Sequence, residues 1–384
     1  MKQSMVVISM VAVMATAAAA RADITIGVNL SSTGPAASLG MPEKNAITIG
    51  PSVIAGQKVN YVIYDDATDT TNAVQNVKRL ISEAKADVII GPTTSPTSKA
   101  VTDTVAESKT PMIQLSPGIA ASSDDPKRRW IFSAPPADAV YADALIRHMV
   151  KKGVKTVSVI AVDDAYGENC TVAYRKIADQ KGIKTLTVEK YKRADTSATA
   201  QVLKAMQGNP DAVYIASSGT PGALPHVALI DRGYKGKIYQ SGGSANAEFL
   251  RVGGKALEGS FMLGSPLLAA EQFPNGYPAK KEALDFVKAY EAKYGARNFF
   301  ASLGWNALKI VEAAVPKALK VAKPGTEKFR VALRDAIEGT KGLRGAGTVF
   351  TMTKTDHTGI NQLGMCVLKV ENGKWKLEDH AEFK

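Results

Sequence analysis

The sequence predicts an α/β protein of two domains, each a parallel sheet flanked by helices, and three observations carry that prediction. One unit recurs along the chain: an apolar strand, a loop of Ser, Thr, Gly and Pro, then an amphipathic helix. Alternation of this kind favours parallel sheets covered by helices on both faces. The helical stretches have the right period, with Val74, Val77, Leu80, Ile81 and Ala84 on one face and Leu284, Val287, Tyr290 and Tyr294 on another. The chain has 384 residues, more than the roughly 250–300 at which a single hydrophobic core stops growing, so two domains are expected.

The first segment is set apart from the fold. A basic start (Met1, Lys2, Gln3), an apolar run over 5–20 and the small-residue end Ala20, Arg21, Ala22 predict a secretory signal peptide cleaved after Ala22. The run is short of the ~20 apolar residues that span a bilayer. No cysteine near the site could take a lipid, so a mature protein soluble outside the cytoplasm is expected.

Five strand–loop units then follow in order. Strand 24–30 leads to Ser31, Ser32, Thr33, Gly34, Pro35. Strand 88–90 leads to Gly91, Pro92, Thr93, Thr94, Ser95 and a helix carrying Val101 and Val105. Strand 112–115 leads to Ser116, Pro117, Gly118; strand 157–162 to Asp163, Asp164, Ala165, Tyr166, Gly167; strand 212–216 to Ser217, Ser218, Gly219, Thr220, Pro221, Gly222. A sixth loop, YQSGGSANAEFL over 239–250, follows a strand that begins near Gly236, Lys237, Ile238. Gly182, Gly233 and Gly295 stand where helices should stop.

In such sheets ligands bind beyond the carboxyl ends of the strands, where these loops lie. A helix N-terminus after the loop offers unpaired N–H groups and the positive end of the dipole, which suits an anion. One such loop is explained by turns and caps alone. Six of the same character point to a cleft for a small solute, polar at one end.

Charge and chemistry narrow the classes. The net charge is +12, and +10 once residues 1–22, with Lys2 and Arg21, are removed. The lysines are scattered and form no stripe, so no nucleic-acid partner is expected. Cys170 and Cys366 are isolated and read as two buried thiols, with a disulfide as the alternative in an oxidising compartment. No phosphate-binding, dinucleotide, zinc-protease or nucleophile-elbow motif occurs, and no cofactor is implied. His148, His226, His357 and His380 lack metal-ligand spacing and read as ordinary surface or helix residues. The pairs Asp65–Asp66, Asp124–Asp125 and Asp163–Asp164 read as solvated turn acids, since Ala67 stands where a calcium loop needs oxygen. Gly342 to Gly347 lacks a preceding apolar strand and reads as a hinge or turn. A secreted two-domain protein with a polar cleft and no catalytic set reads as a binding protein and not as an enzyme.

Several stretches carry a family resemblance: ITIGVNLSSTGPAASLG (24–40), YDDATDTTNAVQNVKRLI (64–81), VIIGPTTSPTS (88–98), PMIQLSPGIA (111–120), VDDAYGEN (162–169) and GWNALKIVEAA (304–314). Over nearly all of 23–384 the chain resembles the periplasmic solute-binding proteins of ABC importers, in the branched-chain amino-acid-binding group with type I topology. The resemblance implies two lobes joined by three crossovers, with the ligand enclosed between them. Lobe one would be 23–137 plus 263–342, and lobe two 138–262 plus 343–384. The implied partner is a membrane permease with separate ATPase subunits; ligand sensing for a membrane receptor is the alternative role.

The resemblance also implies site residues. The loop holding Thr94 and Ser95 would bind the ligand carboxylate through hydroxyl and N–H groups, helped by Ser116, Gly118 and Ala120. At Ala120 the family carries a Thr, so only the N–H remains. Tyr166 would close over the ligand and hydrogen-bond to it. Gly219 and Thr220 stand where a second aromatic is usual, and Gly242, beside Gly243, stands where an acid pairs with the ligand's ammonium. Glu248 is the nearest acid in sequence and would lie a turn into the next helix. Losing the acid at 242 would favour a carboxylate without an ammonium, and the bulk removed there would leave room for something flat or large: an aromatic acid or aromatic 2-oxo acid, flanked by Leu39, Tyr166 and Trp305. The alternatives are a branched-chain amino acid as ligand and a core position for Trp305.

Overall fold

The computed structural model describes residues 23–118 and 124–383. The expected signal peptide and the site residue Ala120 lie outside them. The first sheet comprises β1 (Ile24–Leu30), β2 (Val53–Ile54), β3 (Gln57–Asp65), β4 (Val88–Ile90), β5 (Met112–Gln114) and β6 (Ile131–Ser133), in the order β2-β3-β1-β4-β5-β6. All its pairings are parallel except that of β2 with β3. The second sheet is built from β7 (Thr156–Val162), β8 (Lys184–Tyr191), β9 (Ala212–Ala216), β10 (Lys237–Gln240) and β11 (Phe261–Gly264). A two-stranded hairpin, β12 (Leu343–Gly345) with β13 (Thr348–Phe350), precedes β14 (Cys366–Glu371) and β15 (Lys374–His380), which complete the second sheet in the order β15-β14-β11-β10-β9-β7-β8. The last two strands join it antiparallel.

Two lobes result. Buried β1 and β4 residues such as Ile26, Val28, Val88 and Ile90 pack with Leu303, Ala307 and Val311 of the helix Phe299–Ala318 in one core. A second core joins Val159, Ile160 and Val213 to Leu145, Met149 and Tyr174. The chain leaves the first sheet after β6, returns after β11 to supply the helix Phe299–Ala318, and re-enters the second sheet at β14. Gly182 caps its helix in the left-handed region (φ 69°), and Gly295 ends the helix Lys280–Tyr294. Among the described residues, no helix is long and apolar enough to cross a membrane.

Two expectations about polar residues are corrected. Asp66 is fully buried, accepting from Ser31 Oγ (2.6 Å), Asn29 Nδ2 (2.9 Å) and the Thr68 N–H (2.9 Å). Asp65 accepts the Ser32 N–H and the Thr33 hydroxyl. These acids tie the loop after β1 to the end of β3 and are not simply solvated. Three of the histidines are buried too: His148, His226 and His357. His357 stacks on Phe132 with ring centres 4.3 Å apart and reaches the Ile131 carbonyl through Nδ1 at 2.8 Å, fastening the returning chain to β6. Both cysteines are free and buried.

Candidate functional site

The loops after β1, β4, β5 and β6 of the first lobe face those after β7, β9 and β10 of the second. Between them lies a small chamber lined by Leu39, Thr93, Thr94, Ser95, Leu115, Ser116, Pro117, Pro135, Tyr141, Tyr166, Ser218, Gly243, Phe299, Phe300 and Leu303. Its free volume is ≈ 20 Å³, room for about one water. The lobes must therefore separate, or side chains move, before an organic solute enters. A larger cleft of ≈ 810 Å³ adjoins it, and Ser95 lines both.

The first wall starts a helix. Thr94 is the N-cap of Ser95–Ser108, and its side chain exchanges hydrogen bonds with Thr97 in a capping box. Pro96 has no N–H and the Thr97 N–H is taken, so the Ser95 N–H is the first-turn amide without a partner among the described residues. An anion at this point meets a free donor and the helix dipole. Ser95 Oγ donates to the Pro117 carbonyl at 2.8 Å, and the Ser116 and Ser98 hydroxyls lie 2.8 Å apart. Behind them Thr93 Oγ1 donates to Glu43 (2.5 Å) and accepts the Ser31 N–H (3.0 Å). Burial pushes the Glu43 carboxyl well above its ordinary range, with the Thr93 bond opposing and Asp66 adding to the shift.

The second wall is tied together internally. Asp164 caps the helix Ala165–Ala178 through the Tyr166 and Gly167 N–H groups and pairs with Arg193 at 2.6 Å. Arg193 also donates to the Ser218 hydroxyl (2.7 Å). Tyr166 Oη accepts the Gly243 N–H (2.9 Å) and donates to Ser241 Oγ (3.3 Å). Burial drives its phenol well above the ordinary range, so it stays protonated. In this arrangement Tyr166 braces the glycine loop while its side chain lines the chamber.

Several sequence-derived positions come together and others do not. Leu39, Thr94, Ser95, Ser116, Tyr166 and Gly243 line the chamber. Gly219, with φ +73°, passes so near Leu39 that a Cβ would stand 2.9 Å from its Cδ1, a contact across the two walls. Gly118 lies in the adjoining cleft, and Thr220 faces an outer groove with Met41 and Arg251. The room expected at Gly242 is absent: a Cβ there would come within 2.5 Å of Tyr141 Cε1, so the tyrosine ring fills it. Trp305 is partly buried and packs against a core cluster, its ring 5.4 Å from that of Phe286. Glu248 is exposed and paired with Arg251.

Sequence reading missed Tyr141, Phe299, Phe300, Leu303, Leu115, Pro135, Thr93 and Ser218. A usable signal existed for one pair: Asn298 caps the helix by accepting the Phe300 N–H (2.8 Å), and two aromatics directly after a cap at a loop end point into a cleft. No chamber-lining side chain among the described residues carries a charge.

A family model described as periplasmic binding protein matches residues 23–374. The chain is similar to an extracellular ligand-binding receptor from Rhodopseudomonas palustris HaA2, 40% identical, with a TM-score of 0.90 over 93% of this chain and 100% of that one. It is also similar to a Leu/Ile/Val-binding protein homolog of Brucella melitensis biotype 1, 24% identical over 93% of this chain and 94% of the relative. A solute-binding protein of a Rhodopseudomonas palustris ABC transporter, in complex with benzoate, shares the fold at a TM-score of 0.79, with 20% identity over 94% of this chain and 96% of that one.

Proposed function

The chain belongs to the periplasmic binding proteins, a non-catalytic family whose members carry small solutes to ABC importers, and on that premise we propose that its solute is a small carboxylate with an apolar body. The observation that carries this reading is the start of the helix Ser95–Ser108. There a free amide and the Ser95 and Ser116 hydroxyls open into a chamber whose apolar lining comes from Leu39, Leu115, Phe299, Phe300 and Leu303, with Tyr141, Tyr166 and Ser218 among the residues that complete it. Donors at one end and a largely apolar remainder match a carboxylate on an aliphatic or aromatic group. Lobe one, 23–137 plus 263–342, would supply the donors, and lobe two would close over the ligand as a hinge motion.

Two ligand classes meet this description. The names of the curated relatives support a branched-chain amino acid, and that reading has the broader backing. The uncharged, aromatic-rich lining supports an aromatic acid or aromatic 2-oxo acid. The test is calorimetric titration of protein unfolded, stripped of carried-over solute and refolded. Leucine, valine, benzoate and phenylpyruvate would each be compared with its methyl ester. Binding of an acid with loss of at least tenfold for its ester is expected. Equal binding of acid and ester would overturn the carboxylate reading.

A further inference from the structure

Asp138 is an acid in the cleft that no described residue neutralises. It begins the helix Asp138–Lys151, directly after the first crossover, and lines the ≈ 810 Å³ cleft beside Ser95, Gly118 and Asn169. Pro135 and Tyr141, on either side of it in sequence, line the chamber. No hydrogen bond or ion pair involves its carboxyl among the described residues. Four cations among the described residues line the same cleft: Lys127 and Arg128 are paired with Asp103 (3.0 Å) and Asp125 (3.2 Å), and neither Lys99 nor Lys176 forms an ion pair with Asp138. Glu168, which lines the same cleft, is exposed. Asp138 is partly buried, and desolvation raises its carboxyl to about 6, with no opposing contribution. At neutral pH it is therefore mostly an anion, held at a cost that a cation would relieve.

Its place relative to the carboxylate donors completes the case. Gly118 adjoins both groups: the preceding Pro117 carbonyl accepts the Ser95 hydroxyl, and a Cβ on Gly118 would stand 3.3 Å from Asp138 Oδ2. An α-amino acid carries its carboxylate and ammonium on one carbon, so its site needs a donor set and an acid as near neighbours. We propose that Asp138 is the counter-charge for a ligand ammonium group, which makes the solute an α-amino acid held by Ser95 at its carboxylate and by Asp138 at its nitrogen. The proposal rests on reading this cleft as a carboxylate site. It assigns to the start of lobe two the role that Gly242 cannot perform, and it lets the ammonium draw the two lobes together.

The experiment titrates stripped wild type, Asp138→Asn and Ser95→Ala with L-leucine and L-phenylalanine, and with their ammonium-free twins, 4-methyl-2-oxopentanoate and phenylpyruvate. Removing one member of a buried charge pair should weaken amino-acid binding by roughly 30-fold or more. Asp138→Asn should hold the 2-oxo acids as well as wild type does or better, and its melting temperature without ligand should not fall. Ser95→Ala should weaken both classes. Unchanged amino-acid affinity in Asp138→Asn would overturn the proposal, as would a wild type that prefers the 2-oxo acids. If wild type bound neither class, the carboxylate reading itself would fail and this proposal with it.

Discussion

The two walls of the cleft are built on opposite principles. In the first lobe the polar groups sit at a helix start whose cap uses only its own turn, leaving the Ser95 amide unspent. The apolar contacts there come from side chains such as Leu39, Phe299 and Phe300. In the second lobe Tyr166, Ser241, Ser217 and Gly243 already satisfy one another, and Arg193 ties Ser218 to the Asp164 cap. A pre-satisfied network is rigid and has few donors to offer; an unspent helix start is an open binding site. On the proposed reading, the contrast assigns recognition of the carboxylate to the first wall. The second would act as a shaped lid, with Asp138 as its exception.

The largest expected effect breaks the lid. A Cβ on Gly243 would stand 2.6 Å from Ser218 Cβ and from Tyr166 Oη and 2.7 Å from the Ser217 carbonyl. Backbone and packed side chains border it on three sides, so Gly243→Val should cost about 2–3 kcal/mol of stability by overpacking. Thermal melting should show a clear drop, and ligand affinity should fall with it. A variant that melts like wild type would mean the second wall is plastic and that the contrast is false.

A smaller effect sharpens the other side. Ser95→Ala removes one hydroxyl donor from the first wall and its bond to the Pro117 carbonyl. A hydrogen bond to a charged group is worth about 1.5–3 kcal/mol, so ligand affinity should fall between tenfold and a hundredfold. The ligand-free melting temperature should change little, since the lost internal bond is worth only about 1 kcal/mol. Calorimetry and melting together check this. Loss of stability without loss of affinity would move the carboxylate elsewhere.

These walls were unequally legible in the sequence. Strands β1, β4 and β9 and the helix-stopping glycines could be read because each depends on local pattern: apolar runs, caps and left-handed turns. Thr94, Ser95 and Ser116 could be located because a strand end followed by a hydroxyl-rich helix start is also local. What fills a space across the cleft is not. Gly242 looked like an opening, yet the ring of Tyr141, brought in from another segment, occupies it. Asp66 looked like a solvated turn acid because two of its three donors, Asn29 and Ser31, come from the end of another strand and only the assembled sheet brings them to it. Asp138 went unnoticed because its significance is the lack of a partner, and partners are a property of packing.

The smallest effect concerns that acid in the absence of ligand. The ordinary carboxyl value is 3.8, and burial raises Asp138 to about 6 in the folded protein. Between those values the folded state keeps a proton that the unfolded state has lost. The group's contribution to stability therefore declines as pH rises from about 4 to about 6, and is constant above that. Allowing for partial exposure of the carboxyl, the cost of holding it ionised at neutral pH is about 1–2 kcal/mol. Asp138→Asn removes the titration, so the ligand-free variant should melt higher than wild type at pH 7 and equal it near pH 4. A saturating α-amino acid should reverse the order at pH 7, because only wild type gains the ion pair on binding. A difference between the two proteins that is the same at both pH values would mean that Asp138 is solvated. The lid would then hold no unpaired charge, and the exception drawn above between the two walls would disappear.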